Sequence, residues 1–306
     1  MVPFCGATRI RTGDTRIFSP LLYQLSYSTL ITEAANINTS ILSIKEKGII
    51  IYNIHTFGKD RRFMGLMIDI GNTRTKYAYF SEGRIKERGF CGLEETPKVV
   101  CNYSKKVNTT MLSSVKPIPK PILLESTKHS PNLIVLSSEI EMPFTTNYKT
   151  PQTLGTDRLA LVAGAVFTFP TKPVLVIDAG TCITFDFVDS KKRHLGGSIS
   201  PGLQMRLKAL SSQTGALPLV KLSEPEDLIG ASTKESILSG AVNGAIKELE
   251  GTIDAYQKRY PDIIVVLTGG DASFFDKKLK NSIFADEDIL LKGMYFILKQ
   301  HANKQI

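Results

Sequence analysis

Residues 65–76 place a carboxylate, a glycine turn and a lysine in an order suited to holding a phosphate group. A short apolar run precedes Asp69, and a Gly-Asn-Thr turn that begins at Gly71 precedes Lys76. Gly71 permits a positive φ and close backbone approach, and the turn amides can donate to phosphate oxygens. Asp69 would repel phosphate, so its expected partner is a divalent cation that carries a nucleotide. A strand followed by an ordinary asparagine turn explains this stretch alone equally well.

The same pattern occurs a second time at Asp178–Thr181, where an apolar run again ends in Asp-Ala-Gly-Thr. A third apolar run, residues 263–267, leads into Gly269 and Gly270 with a carboxylate behind them. Such runs are typical of buried strands. The ordered set therefore predicts two duplicated phosphate-facing turns and a loop that holds adenosine.

These three turns resemble those of the actin, Hsp70 and sugar-kinase superfamily, which binds ATP between two related domains. Residues 148–158, 195–203 and 232–240 narrow the resemblance to type III pantothenate kinase. All blocks occur in that family's order, and the Gly-x-Asp-Arg motif is specific because sugar kinases and chaperones share only the first motif. The resemblance implies an α/β fold with two ribonuclease-H-like (actin-like ATPase) domains, whose mixed sheets surround an ATP cleft.

The resemblance also implies where ATP and cations bind. Mg²⁺ would lie near Asp69, and K⁺ or NH₄⁺ at Asp178, since a carboxylate beside phosphates needs a counter-ion. Lys76 is included on its position alone. The implied ATP-binding residues are Asp69, Ile70, Gly71, Asn72, Thr73, Arg74, Thr75, Lys76, Thr181, Gly269 and Gly270.

Asp157 is the general base that the resemblance implies, because an alcohol acceptor needs a carboxylate to take its proton. From the residues alone, Asp157 is a first-turn acid matched to the helix dipole and Arg158 is its surface partner. With the resemblance, Arg158 sits near the substrate or steadies the developing charge. Ser232 or Thr233 is in addition the N-cap of the following helix. The implied substrate-binding residues are Tyr148, Gly155, Thr156, Asp157, Arg158 and Thr233.

The implied activity is ATP-dependent phosphorylation of pantothenate to 4'-phosphopantothenate, the first step towards coenzyme A, in a homodimer. Two other classes stay open. One is another phosphotransferase, or an exopolyphosphatase-like hydrolase, of the same fold. The other is a non-catalytic regulator, which loss of Asp157 or of the glycine turns would favour, and all of these are present.

Composition argues against several other classes of function. The formal net charge is +9, but the basic residues form no stripe with interleaved aromatics, so nucleic acid is not the expected main partner. The four cysteines form no Cys-x-x-Cys pair, which argues against a zinc or disulfide framework. The sequence has no signal peptide pattern and no apolar run of about 18 residues, so we expect a cytoplasmic protein without a membrane partner.

We expect three segments: a non-family extension (1–63), a first ATPase domain (64–170) and a second one (171–306). The extension is expected to be a poorly ordered arm or the result of choosing an upstream start codon. Residues 116–121, rich in proline, are expected to break helical structure. The predicted strands are Met67–Ile70, Thr75–Phe80, Arg84–Gly89, Val174–Asp178, Thr181–Val188 and Leu195–Ile199, and the main predicted helices are Leu159–Phe167, Pro201–Ser211, Lys234–Tyr256 and Asp288–Lys299, the last crossing back to the first domain.

Overall fold

The computed structural model describes residues 51–52, 63–130 and 132–304, all within one compact unit that spans residues 42–306. The prediction for residues 1–63 lies outside the described residues, apart from Ile51–Tyr52 and Phe63. Ile51–Tyr52 forms a short strand, β1, that pairs with residues 133–134. The ring of Phe63 packs edge-on against Tyr295, with 5.4 Å between ring centroids.

The first lobe is built on one six-stranded sheet in the order β1-β6-β5-β2-β3-β4. Its first three long strands form an antiparallel meander, and the next two run parallel to the first of them. This mixture puts the ends of β2 and β5 side by side at one edge of the sheet. The strands are β2 (Met64–Ile70), β3 (Thr75–Ser81), β4 (Arg84–Cys91), β5 (Thr109–Ser114) and β6 (Leu133–Val135).

The second lobe repeats this plan in the order β12-β11-β8-β9-β10-β7. In both lobes a three-stranded antiparallel meander is followed by two strands that add in parallel beside the first one. The predicted α/β fold with two actin-like lobes is therefore confirmed. The strands are β7 (Thr145–Thr146), β8 (Val174–Ala179), β9 (Cys182–Val188), β10 (Arg193–Pro201), β11 (Ile264–Thr268) and β12 (Phe284–Ala285).

Seven α-helices are present in the described residues: α1 (Thr96–Tyr103), α2 (Lys120–His129), α3 (Thr156–Thr168), α4 (Leu203–Ser212), α5 (Thr233–Arg259), α6 (Ala272–Asp276) and α7 (Ile289–Lys304). Within the described part of the chain, no helix combines the length and apolar character that a bilayer crossing requires. The prediction that residues 116–121 break helical structure is only partly right, because α2 begins at Lys120, inside this segment. Pro121 occupies the first turn of α2, where a missing N–H costs nothing.

Helices α3 and α7 lie between the two sheets and hold them together. A side chain at Gly164 of α3 would overlap the carbonyl oxygen of Ile289, and one at Gly293 of α7 would overlap that of Ala160, so small residues allow the two helices to touch. Helix α7 also contacts β2, β3 and β5, which confirms the predicted return to the first domain. One buried cluster extends through both lobes and these helices. The N-terminus of α3 is thereby fixed between the lobes.

Candidate active site

The first acidic turn lies where β2 ends and β3 begins. Asp69, only 5 % exposed, is paired across the antiparallel strands with Lys76 and across the parallel ones with Ser113. Burial, and next the negative charge of Asp157, raise the pKa of Asp69 to about 7, while the charge of Lys76 opposes this. Asp69 Oδ1 has no hydrogen-bond partner. A buried carboxylate oxygen without a donor is a costly arrangement that a bound cation or water would relieve.

Gly71 does not use the positive φ that a glycine permits. Among the described glycines the positive φ values belong to Gly83, Gly196 and Gly269. Gly71 suits this turn because it has no Cβ atom. Its N–H donates to the carbonyl oxygen of Arg74 at 3.2 Å, which brings this oxygen close to residue 71. A Cβ atom at position 71 would lie 3.1 Å from that oxygen, which is tighter than ordinary contact.

The second acidic turn faces the first one across the cleft. The hydroxyl oxygens of Thr73 and Thr181 are 3.5 Å apart although 108 positions separate them in sequence. Asp178 is the half-buried next-to-last residue of β8. Burial raises its pKa to about 6, with Lys76 opposing the rise and Asp157 adding to it. The structure thus brings the two duplicated turns together, with the ammonium of Lys76 acting on both carboxylates.

The third turn packs directly against the second. Gly269 has φ +100°, and a side chain there would overlap the carbonyl oxygen of Ala179 and the Oδ1 atom of Asp178. The N–H of Asp271 donates to the carbonyl of Ala179 at 2.8 Å. Gly270, by contrast, is exposed, and a Cβ atom at this position would come no closer than 4.0 Å to Arg74 Nη2.

Gly269→Ala is expected to lower the free energy of unfolding by about 2–4 kcal/mol, since a left-handed alanine and the overlap with Ala179 both cost energy. Gly270→Ala is the matched control, because the added methyl group meets open space, and its expected effect is about 0.5 kcal/mol or less. Urea unfolding of both variants measures the difference. Equal transition midpoints for the two variants would contradict this role of Gly269.

Asp157 enters the cleft from the first turn of α3. Gly155 is the N-cap of this helix, and a side chain at Gly155 would overlap Asp157 Oδ1. The same oxygen accepts a hydrogen bond from the N–H of Arg158 at 2.8 Å. Thr156 fixes the helix start to the first lobe, as its hydroxyl donates to the carbonyl of Ser114 at 3.1 Å. Asp157 Oδ1 is therefore held by the backbone at the start of α3.

The three acids form one electrostatic group. The charge of Asp157 raises the pKa of both Asp69 and Asp178. The pKa of Asp157 is itself raised, first by burial and then by the charge of Asp186. The contacts agree with this grouping, because Ser113, the strand partner of Asp69, donates to the hydroxyl of Thr156 at 3.1 Å, one residue before Asp157. Perturbed carboxylates in a cleft are frequent at catalytic sites, and structural charge networks produce them too.

Arg158 is not the surface partner of Asp157 that the helix pattern alone suggests. Its side chain is buried and makes a bidentate pair with Asp186 of β9, with Nε–Oδ2 at 2.9 Å and Nη2–Oδ1 at 2.7 Å. Asp186 also contacts His194 Nε2 at 2.8 Å. Sequence reasoning missed Asp186 and His194. The available signal was a lone acid inside the apolar strand sequence of residues 183–188, where an unpaired charge would be too costly.

The remaining predicted acceptor-site residues divide into two groups. Tyr148 lies beside the buried network, with its ring centroid 5.5 Å from Arg158 Cζ. Thr233 is the exposed first residue of α5, and Ser232 is the N-cap, accepting from the N–H of Glu235 at 3.3 Å. Within the described residues, no hydrogen bond joins Thr233 to Tyr148, Asp157 or Arg158.

A cavity of about 270 Å³ lies beside the turns and is lined from both lobes. The guanidinium of Arg74 stacks over the ring of Phe90 at 3.9 Å on one side. Arg88 donates to Asp288 Oδ1 at 2.6 Å, which links β4 to the residue before α7. Phe90 and Arg88 were not predicted as cleft residues. The lining includes Arg74, Lys76, Phe90, Gly269, Gly270 and Asp288.

Two duplicated lobes that meet at paired acidic glycine turns define the class of actin-like ATPase-fold kinases. A crystal structure of a conserved protein assigned to the Baf family of transcriptional activators from Campylobacter jejuni has this fold: its TM-score is 0.53 at 24 % identity, covering 78 % of this chain and 99 % of that one. At this level of identity the similarity concerns the fold alone.

Sequence comparison identifies the family. The family model for type III pantothenate kinase matches residues 65–255. The type III pantothenate kinase of Christiangramia forsetii is 45 % identical over 239 residues, covering 77 % of this chain and 98 % of its own length. That of Phocaeicola vulgatus is 44 % identical over 238 residues, with coverages of 77 % and 98 %. The chain belongs to the type III pantothenate kinase family, which confirms the resemblance found in the sequence.

Proposed function

We propose that this protein transfers the γ-phosphoryl group of ATP to the terminal hydroxyl of pantothenate, giving 4'-phosphopantothenate and ADP for coenzyme A synthesis. The observation that carries the proposal is the convergence of Asp69, Asp157 and Asp178 in one cleft of a chain that belongs to this family. The two facing turns suit the phosphates of ATP. The third acid, on a separate element, suits the alcohol that accepts the phosphoryl group.

Asp157 is the proposed general base. A phosphoryl acceptor loses its proton as the new P–O bond forms, and a carboxylate within hydrogen-bond reach can take it. Asp157 has one oxygen occupied by the N–H of Arg158, so the other oxygen is the one we assign to the hydroxyl. Burial raises the pKa of this carboxyl, which makes the carboxylate a stronger base once it is ionised.

The nucleotide site is assigned to the two phosphate turns and the adenosine loop. The amides and side chains of Asn72 and Thr73 and the hydroxyl of Thr181 would donate to phosphate oxygens, and Lys76 would add a positive charge. Adenosine would rest against Gly269 and Gly270, beside the cavity that these glycines line.

Mg²⁺ fits the first turn through the unpartnered, buried Oδ1 of Asp69. No group of three or more acidic, histidine or cysteine side chains in the described residues is placed to hold a metal. The ion would therefore depend mainly on phosphate oxygens and water, which is usual for Mg²⁺ in kinases. When bound, it offsets the negative charge of the transferring phosphoryl group.

A monovalent cation, K⁺ or NH₄⁺, is assigned to Asp178. The half-buried carboxylate has a pKa raised to about 6, first by burial and then, among charges that add to it, by Asp157. A counter-ion would allow Asp178 to remain ionised beside phosphate oxygens.

Replacing K⁺ and NH₄⁺ in the assay by a large organic cation is expected to lower kcat at least about tenfold, the factor that corresponds to one lost charge interaction. Titration with KCl should restore the rate along a saturation curve. Asp178→Asn should be slow and insensitive to KCl. A wild-type rate that is identical with and without K⁺ would contradict the assignment.

Thr233, at the N-terminus of α5, is assigned a contact with pantothenate, since helix N-termini attract carboxylates such as the one pantothenate carries. We further propose that the enzyme is a homodimer. Because ATP is the donor, we place the enzyme in the cytoplasm. We assign no nucleic-acid or membrane partner.

ADP release in a coupled assay tests the function. ADP should form with pantothenate as acceptor and not with hexoses, and polyphosphate incubated with the protein should release no inorganic phosphate. Turnover of a sugar or of polyphosphate, with none for pantothenate, would favour another phosphotransferase or hydrolase of this fold. Absence of turnover with every acceptor would favour a regulator.

A further inference from the structure

A buried polar network lies immediately behind Asp157 and Tyr148. It joins α3, β9, β10 and β7 through Arg158, Asp186, His194 and Thr146. The first three side chains are 5 %, 1 % and 0 % exposed. Buried polar groups that span four elements are expensive unless every donor and acceptor is matched.

The hydrogen bonds of this network are mutually consistent. Both oxygens of Asp186 accept from Arg158, Oδ2 from Nε and Oδ1 from Nη2, and Oδ1 also lies 2.8 Å from His194 Nε2. Thr146 Oγ1 accepts from the N–H of Tyr148 at 3.1 Å and lies 3.0 Å from His194 Nδ1. A hydrogen bond between the threonine hydroxyl and Nδ1 leaves both ring nitrogens of His194 with a partner.

The network is connected to the proposed acceptor site at two points. The Tyr148 ring stacks on His194 at 6.2 Å with 13° between the planes, and Arg158 Cζ lies 5.5 Å from the same ring. The backbone N–H of Arg158 holds Asp157 Oδ1. Because Asp186 occupies the Nε and Nη2 edge of the guanidinium, the plane and rotation of Arg158 are fixed from behind.

We propose that Asp186 and His194 are positioning residues for the alcohol substrate: Asp186 orients Arg158, and His194 fixes Asp186 through its Nε2 contact. This inference rests on the proposed function and adds two residues to its acceptor side. Apolar side chains of similar volume often replace buried ion pairs without loss of stability. A polar network at this place therefore fits a role in orienting the side chains that contact pantothenate, rather than those that contact ATP.

The first test is Asp186→Asn in the full chain, with steady-state kinetics for both substrates. We expect KM for pantothenate to rise by about 10–100-fold, the factor for a lost charge-assisted hydrogen bond, and KM for ATP to change less than about twofold. Asp286→Asn is the matched control, because Asp286 is a buried carboxylate that accepts from Lys292 at 2.7 Å and from the backbone N–H of Asp288, and from no residue of the network. It should leave KM for pantothenate unchanged.

Two His194 variants keep the inference falsifiable if Asp186→Asn does not fold. His194→Gln retains an N–H that can reach Asp186, whereas His194→Phe retains the ring and loses the donor. A positioning role predicts a lower KM for pantothenate in His194→Gln than in His194→Phe. A role in packing alone predicts the reverse order, since His194→Gln removes the ring.

The outcomes separate this inference from the proposed function. Wild-type turnover of pantothenate, combined with unchanged KM values in Asp186→Asn or with the reversed order of the His194 variants, overturns the inference alone. Equal rises in KM for ATP and for pantothenate also overturn it. Absence of wild-type turnover with pantothenate overturns the proposed function and this inference with it.

Discussion

Asp157→Asn is expected to lower kcat by about 10²–10⁴-fold, the usual contribution of a general base. Asparagine has the same shape and can still accept the hydrogen bond from the N–H of Arg158, but it cannot take a proton. The variant should fold, because the charge it removes only raises the pKa of Asp69 and Asp178 in the nucleotide-free protein. ATP affinity should therefore be retained or increased.

The measurement is initial-rate kinetics with pantothenate, together with a calorimetric titration of MgATP. Glu94→Gln serves as the control, since Glu94 is an exposed acid of the first lobe. The wild-type rate should also fall on the acid side at a pH above the usual aspartate range, because burial raises the pKa of Asp157. A wild-type rate in Asp157→Asn would refute the base assignment.

Asp69→Asn is expected to make the nucleotide-free protein more stable and the enzyme much less active. Burial raises the pKa of Asp69 to about 7 from 3.8. The folded protein therefore holds a proton that the unfolded chain releases, so the free energy of unfolding falls as pH rises between about 4 and 7. A rise of about three in the pKa of Asp69 corresponds to a loss of about 4 kcal/mol in the free energy of unfolding above pH 7. The buried asparagine amide at position 69 would lack hydrogen-bond partners, which offsets part of this stabilisation. The expected net gain in the free energy of unfolding is on the order of 2 kcal/mol.

Urea unfolding of Asp69→Asn at several pH values, alongside MgATP titration, measures both effects. The variant should lose the part of the fall in stability that Asp69 causes, most visibly between about pH 6 and 7, and keep the part that Asp178 causes, since the pKa of Asp178 is raised to about 6. It should bind MgATP at least about tenfold more weakly, as expected for one lost charge interaction. Asp189→Asn is a control of opposite sign. Burial would raise the pKa of Asp189, but hydrogen bonds from Arg193 hold it below its usual value. Removing that carboxylate should therefore cost stability. Equal pH slopes for wild type and Asp69→Asn would contradict this account of Asp69.

The acidic turns could be predicted from the sequence because each ends a continuous apolar strand. The strand that carries Asp69 was predicted from Met67 and begins at Met64. The one that carries Asp178 was predicted over Val174–Asp178 and ends at Ala179. Local apolar runs fix where a strand lies, and a carboxylate after such a run must lie near its end.

The buried partners of Arg158 could not be placed in this way. Asp186 and His194 are eight positions apart in sequence and meet because β10 pairs His194 with Val188, two residues from Asp186, beside a bulge between His194 and Gly196. Pairing registers of this kind depend on the whole sheet and on the bulge. The start of helix α2 was missed for a local reason. A proline in the first turn of a helix cannot be told from a helix-breaking proline by the amino-acid sequence of that segment alone.

The central claim is that the acids of two lobes hold the nucleotide while Asp157 receives the proton of the acceptor alcohol. The most direct test is a crystal structure with a non-hydrolysable ATP analogue, Mg²⁺ and pantothenate bound. We predict that the terminal hydroxyl of pantothenate lies about 2.6–3.2 Å from a carboxylate oxygen of Asp157, the range of a hydrogen bond, and faces the γ-phosphorus. A complex with the triphosphate outside the Asp69 and Asp178 turns, or with Asp157 out of reach of the hydroxyl, would contradict the mechanism.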